Sequence, residues 1–97
     1  MYAIAIVRYR KPLEEILKVV EEHRAYLRDL KKKGTLLVSG PLDPRYGGAL
    51  LLRLPDAGGD AALLAVRDGD PFVMHGLAQY ELLPWLPNIG AEELAKL

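Results

Sequence analysis

An α+β fold is predicted by three features of the sequence. Residues 12–33 carry apolar side chains at helical spacing, and four short runs rich in Ile, Val, Leu and Tyr are bounded by Gly or Pro as strands are. A second, shorter helical stretch falls between the third and fourth of these runs, so the order is strand, helix, strand, strand, helix, strand.

The first strand, Tyr2 to Tyr9, points Tyr2, Ile4 and Ile6 one way and Ala3, Ala5 and Val7 the other. Neither face is polar before Arg8, and a strand apolar on both sides has to be covered on both sides. Pro12 halts it. Beyond Pro12, Leu13, Ile16, Val20, His23, Leu27 and Leu30 recur every three or four residues, with Leu17, Val19 and Tyr26 widening the stripe; Glu14, Lys18, Glu21, Glu22, Ala25 and Asp29 fill the opposite side. Pro12 suits a first turn, Glu14 and Glu15 the positive dipole end, and Lys31 to Lys33 the negative end, with Gly34 as the stop. One continuous helix over residues 12–33 is expected.

Thr35 to Ser39 and Ala49 to Leu54 form two apolar runs, and the connection containing Asp43-Pro44-Arg45-Tyr46 predicts an antiparallel hairpin between them. Asp60 to Arg67 has a narrow apolar face after Gly58-Gly59 and predicts a short helix entered through Asp56 or Asp60. Asp70-Pro71 has the form of an N-cap followed by Pro at the first helical position, giving one turn that stops at Gly76. Leu77 to Leu83 alternates Gln79 and Glu81 against Tyr80 and Leu82 as a last strand, closed by Pro84-Trp85-Leu86-Pro87, and Ala91 to Leu97 forms a terminal helical turn. The order is the split βαβ, ferredoxin-like plan with a four-stranded antiparallel sheet. Two helices cover only one face of such a sheet, while the strands are apolar on both. The uncovered face therefore predicts a homodimer. One domain is expected, with its core in residues 2–86 and a tail over 87–97.

Composition removes several function classes. Ninety-seven residues bury about 65% of the surface exposed by the unfolded chain. With no Cys and only two His, there is no disulfide framework, no iron–sulfur cluster and no thiolate or imidazole-rich metal site. Thirteen Lys and Arg balance thirteen Asp and Glu, so the electrostatic footprint of a nucleic-acid binder is missing. The N-terminal run Met1 to Val7 is too short to span a membrane and lacks the basic leader of a secretory signal, which predicts a cytoplasmic protein. Ser39, Thr35, Asn88 and Gln79 are each the single residue of their type, a scarcity consistent with a thermophile.

His23 interrupts an otherwise aliphatic stripe. Imidazole transfers protons near neutrality but needs a neighbour to fix its tautomer, whereas a half-buried structural His would need only a backbone carbonyl. Asp70 is the natural partner, although capping alone would account for an Asp before Pro. In Ser39-Gly40-Pro41, Gly40 permits close backbone approach and the Ser39 hydroxyl can donate to an anionic oxygen; the plainer reading is a strand end with a turn. Phe72, the only Phe, fills core space or borders a ligand. Tyr9 and Arg8 lie in reach of a pocket mouth, His75 is a surface residue, and Trp85 is a packing anchor near a subunit contact.

His23 in the first helix, Val38-Ser39-Gly40-Pro41-Leu42, Arg67-Asp68-Gly69-Asp70-Pro71-Phe72 and the closing strand from Gly76-Leu77 to Pro84-Trp85 together resemble the YCII-related domain family over about residues 2–86. The resemblance implies a dimeric α+β barrel in which two ferredoxin-like sheets pack face to face. It implies His23 and Asp70 as a catalytic pair with Ser39 nearby; Gly40, Pro41 and Phe72, adjoining these residues in the sequence, are expected to border the substrate with Ser39. The family includes a dehydrochlorinase acting on a chlorinated hydroxyquinone. This sequence departs from the pattern at Gly69, where an Ala-like helical residue is expected before Asp70.

The functional expectation is a small-molecule enzyme without metal or organic cofactor. In it, Asp70 orients His23, His23 transfers a proton, and Ser39 and the Gly40 backbone hold a substrate oxygen; elimination, isomerisation and hydrolysis all fit. The alternative is a non-catalytic metabolite-binding or regulatory module on the same fold. RNA recognition is disfavoured, because the sheet lacks exposed aromatic pairs and the chain lacks a basic surplus.

Overall fold

Alternation in the first run places it at the centre of the sheet. The structure, a computed structural model, describes residues 1–97. In it, β1 (Tyr2–Tyr9) is flanked by β3 (Gly47–Arg53) and β4 (Ala78–Trp85), with β2 (Leu36–Pro41) outside β3, all antiparallel in the order β2-β3-β1-β4. This is the ferredoxin-like α+β arrangement. Ala5 lies between Leu50 and Leu82, and Ile4 lies between Leu51 and Leu83. The two sets of β1 side chains therefore separate cleanly. Ala3, Ala5 and Val7 are buried beneath the helices, where small side chains let Ile16, Leu30, Leu63, Val66 and Phe72 close onto the sheet. Tyr2, Ile4 and Ile6 stay partly exposed on the other face, which also carries the exposed Val38, Leu83 and Trp85.

The expected continuous helix over residues 12–33 is instead two. α1 (Leu13–Leu17) ends in a tight turn at Lys18 and Val19, and α2 (Val20–Lys32) begins anew. Lys18 N–H donates to the Glu15 carbonyl and Val19 N–H to that of Ile16, three residues back rather than four. The β-branched pair Val19-Val20 sits at the break, and such side chains crowd the preceding helical turn. Periodicity across the break cannot show this, because Ile16, Val20 and His23 keep their three-and-four spacing through it. Leu13 and Leu17 lie off the shared stripe and are 42% and 48% exposed. Pro12 precedes α1 as its N-cap rather than lying in its first turn. The C-terminal stop is as expected: Gly34 adopts φ 81°, and Thr35 N–H reaches back to the Leu30 carbonyl at 3.0 Å.

α3 (Gly59–Gly69) is entered through Gly58 in the left-handed conformation, with no side-chain cap from Asp56 or Asp60. Asp56 instead binds the N-terminal amine at 2.6 Å. α4 (Pro71–Met74) has the Asp70 N-cap and Pro71 start that the sequence predicts, and α5 (Ala91–Ala95) is the terminal turn. Pro84 does not close the last strand but pairs with Ala3 inside it. No helix is long and apolar enough to cross a membrane.

Candidate active site

The break before α2 and the short connection from α3 to α4 bring two distant residues together. His23 Nδ1 lies 2.8 Å from Asp70 Oδ1, and the Asp70 side chain is fully buried while that of His23 is 13% exposed. The same Oδ1 accepts the Phe72 N–H at 2.9 Å, and Oδ2 accepts the Tyr80 hydroxyl. Both readings of Asp70 are therefore realised by one carboxylate: it caps α4 and it holds the imidazole. Donation from Nδ1–H to Oδ1 leaves the lone pair of the neutral ring on Nε2.

Tyr80 can only donate in this arrangement. Burial, then the Asp70 charge and the hydrogen bond to it, push its phenol far above the ordinary tyrosine value. Tyr26, one turn beyond His23 on α2, donates to the Val66 carbonyl at 2.7 Å. Burial, then the charges of Asp70, Asp29 and Asp68, push its phenol up to about 12. The imidazole plane is fixed as well: Phe72 stacks on it with ring centres 3.9 Å apart and planes 9° from parallel, and Tyr9 meets Phe72 edge-on at 5.9 Å.

His23 borders a cavity of about 250 Å³ between α2 and the β2–β3 hairpin. Ser39, Gly40 and Pro41 form part of the facing wall, and Tyr9 also reaches it. Asp70, Tyr26 and Tyr80 do not line it; they lie behind the imidazole. The arrangement presents one nitrogen of a ring whose other nitrogen, face and tautomer are all held from within the protein. An imidazole so held can accept or donate a proton at its remaining nitrogen.

The YCII-related domain model matches residues 1–86. The chain belongs to the YCII-related domain family. Among solved structures it resembles the 5-chloro-2-hydroxyhydroquinone dehydrochlorinase from Burkholderia phenoliruptrix AC1100, determined in complex with 2,5-dihydroxybenzoquinone. The TM-score is 0.76 and the identity 21%, over 92% of this chain and 97% of the other. At that identity the likeness is one of fold. No curated protein matches the chain.

In this YCII-related chain, His23 and Asp70 are in contact, and Ser39, Gly40 and Pro41 share the cavity with His23. Phe72, 1% exposed, also lines the cavity and stacks against the imidazole. Arg8 instead pairs with Glu81 at 2.9 Å, and His75 lies on the surface 3.7 Å from Glu22. Sequence reasoning missed Tyr80, Arg24 and Arg45. Tyr80 had a usable signal: it shares the helix-facing parity of Ala78 and Leu82, and a buried phenol requires a hydrogen-bond partner. The departure at Gly69 has a local cause. A Cβ there would come within 2.7 Å of the Tyr26 hydroxyl oxygen, so glycine makes room for that phenol. No group of three or more metal-ligating side chains occurs in the fold.

Proposed function

We propose that this YCII-related protein is a small-molecule enzyme in which His23 transfers a proton and Asp70 is its positioning residue. One observation carries the reading: the imidazole that Asp70 holds by Nδ1 at 2.8 Å borders a cavity of about 250 Å³. In an elimination, Nε2 takes a proton from the substrate, the freed electron pair forms the new double bond, and the leaving group departs with its bonding pair. In an isomerisation the imidazolium returns the proton to a different atom. The Ser39 hydroxyl and the Gly40 backbone hold a substrate oxygen on the facing wall. The solved dehydrochlorinase of the same fold, with its bound dihydroxybenzoquinone, supports a small cyclic substrate and an elimination. The step as written requires neither metal nor organic cofactor.

The working unit in this reading is a homodimer joined through the open sheet face. Its support is the row of apolar side chains there, with Val38 57%, Leu83 40% and Trp85 41% exposed.

Turnover of a panel of chlorinated hydroxyquinones tests the proposal, with wild type compared to His23→Asn and binding followed separately by thermal stabilisation. Product formation that disappears in His23→Asn while binding persists is the expected result. Equal turnover by the two proteins refutes a proton-transfer role for His23. Binding without turnover by the wild type identifies a non-catalytic metabolite-binding module.

A further inference from the structure

We propose that the cavity receives an organic monoanion whose charged group is bound by Arg45, the residue that selects acids over their neutral analogues. The inference rests on the reading of this cavity as the substrate site and adds the class of substrate. Charge placement supplies the first observation. The chain is neutral overall, yet the cavity is lined by His23, Arg24 and Arg45 and by no carboxylate. A small concave site with basic groups alone attracts anions and repels cations.

The two arginines are not equivalent. Arg24 directs Nη1 to Glu21 at 3.1 Å, whereas Arg45 takes part in none of the ion pairs of the chain. Arg8, Arg67, Lys18 and Lys33 likewise have a carboxylate within 3.2 Å, and among the cations left without one, Arg10 and Arg28 included, Arg45 is the one that lines the cavity. A planar fork of N–H donors matches a carboxylate or an ionised enol in two-point contact. Arg45 lies in the β2–β3 connection, just past Pro41, on the side of the cavity that also carries Ser39. His23 comes from α2, so proton transfer and anion binding are supplied by different elements.

Apart from Tyr9, the remaining side chains of the wall are apolar. Val7, Val20, Leu27 and Leu50 offer a surface for an uncharged carbon skeleton. At about 250 Å³ the cavity is smaller than the sites that take drug-sized ligands, which fits one ring with a few substituents.

Benzoate and benzamide are probes of nearly equal shape that differ in charge. Their affinities for the full chain are measured by NMR titration, read on the side chains that line the cavity. Benzoate is expected to bind at least about tenfold more tightly than benzamide, the ratio that one charge-assisted contact supplies. Arg45→Gln removes this preference and leaves benzamide unaffected, and Arg45→Lys restores part of it. Arg28→Gln, at an exposed cation that does not line the cavity, leaves both affinities unchanged and separates a local contact from diffuse charge. Equal binding of the two probes, absence of benzoate shifts at the cavity, or equal losses in Arg45→Gln and Arg28→Gln overturns the proposal. Failure of the His23 reading is distinct: His23→Asn then keeps turnover while the preference for benzoate still depends on Arg45.

Discussion

Tyr80→Phe removes a single hydroxyl from the group of contacts that holds the imidazole. Asp70 Oδ2 then loses its donor at a residue that is 0% exposed. A hydrogen bond to a charged acceptor contributes about 1.5–3 kcal/mol, and a buried acceptor left without a partner costs a comparable amount. The expected loss of stability is about 2–3 kcal/mol, which in a domain of this length lowers Tm by about 8–24 °C. Urea unfolding at pH 7, followed by far-UV circular dichroism and the fluorescence of Trp85, measures the first quantity. A shifted midpoint with an unchanged slope is the expected form. Alkaline pH supplies a second signature. The folded protein keeps the Tyr80 proton above pH 10 while the unfolded chain releases it, because the folded value is raised. That contribution is fully present below about pH 10 and is lost as pH rises beyond it, at up to about 1.4 kcal/mol per pH unit. Tyr80→Phe lacks it, so the stability gap between wild type and variant narrows above pH 10. A variant within about 0.5 kcal/mol of wild type at pH 7, with a parallel alkaline profile, would refute the assignment of Tyr80 as a donor to Asp70.

Gly69→Ala places a methyl carbon 2.7 Å from the Tyr26 hydroxyl oxygen and is expected to cost about 1–3 kcal/mol, measured by the same urea titration. Adding Tyr26→Phe removes the nearest clashing atom, so the double variant loses less than the sum of the single losses; strict additivity would show that the two sites do not touch. Leu83→Glu changes a side chain that is 40% exposed on the open sheet face. The expected sedimentation is a homodimer for the wild type and a folded monomer for the variant, and an identical distribution for the two proteins would exclude that face as the interface.

What could be read in the sequence was whatever depends on short-range pattern. The period-two run of β1 and the Gly34 stop of α2 are local, and both stand where the residues place them. The turn at Lys18 and Val19 was hidden for a physical reason: a helix interrupted by one tight turn that keeps the three-and-four spacing leaves the apolar pattern intact. Pro84 was misleading because its missing N–H suggests a strand end, yet β4 is an edge strand, where proline is tolerated. Arg45 could not be recognised at all. Its place on the cavity wall without an ion-pair partner is decided by tertiary packing around the hairpin loop.

Asp70 shows why local and functional signals need not compete. Its backbone, at φ −73° and ψ 124°, is that of an N-cap, and the cap bond from Phe72 N–H fixes where Oδ1 lies. Pro71 sets the first helical dihedral angle and so carries Phe72 into the core, where its ring packs flat against His23. Asp70-Pro71-Phe72 therefore holds the imidazole from two directions, by a carboxylate on the Nδ1 edge and by an aromatic ring on one face. The capping geometry that on its own would make Asp70 structural is what gives its carboxylate a defined position. Without the cap bond the Asp70 carboxylate would keep only the Tyr80 hydroxyl and the imidazole as anchors, and the His23 ring would be held less firmly.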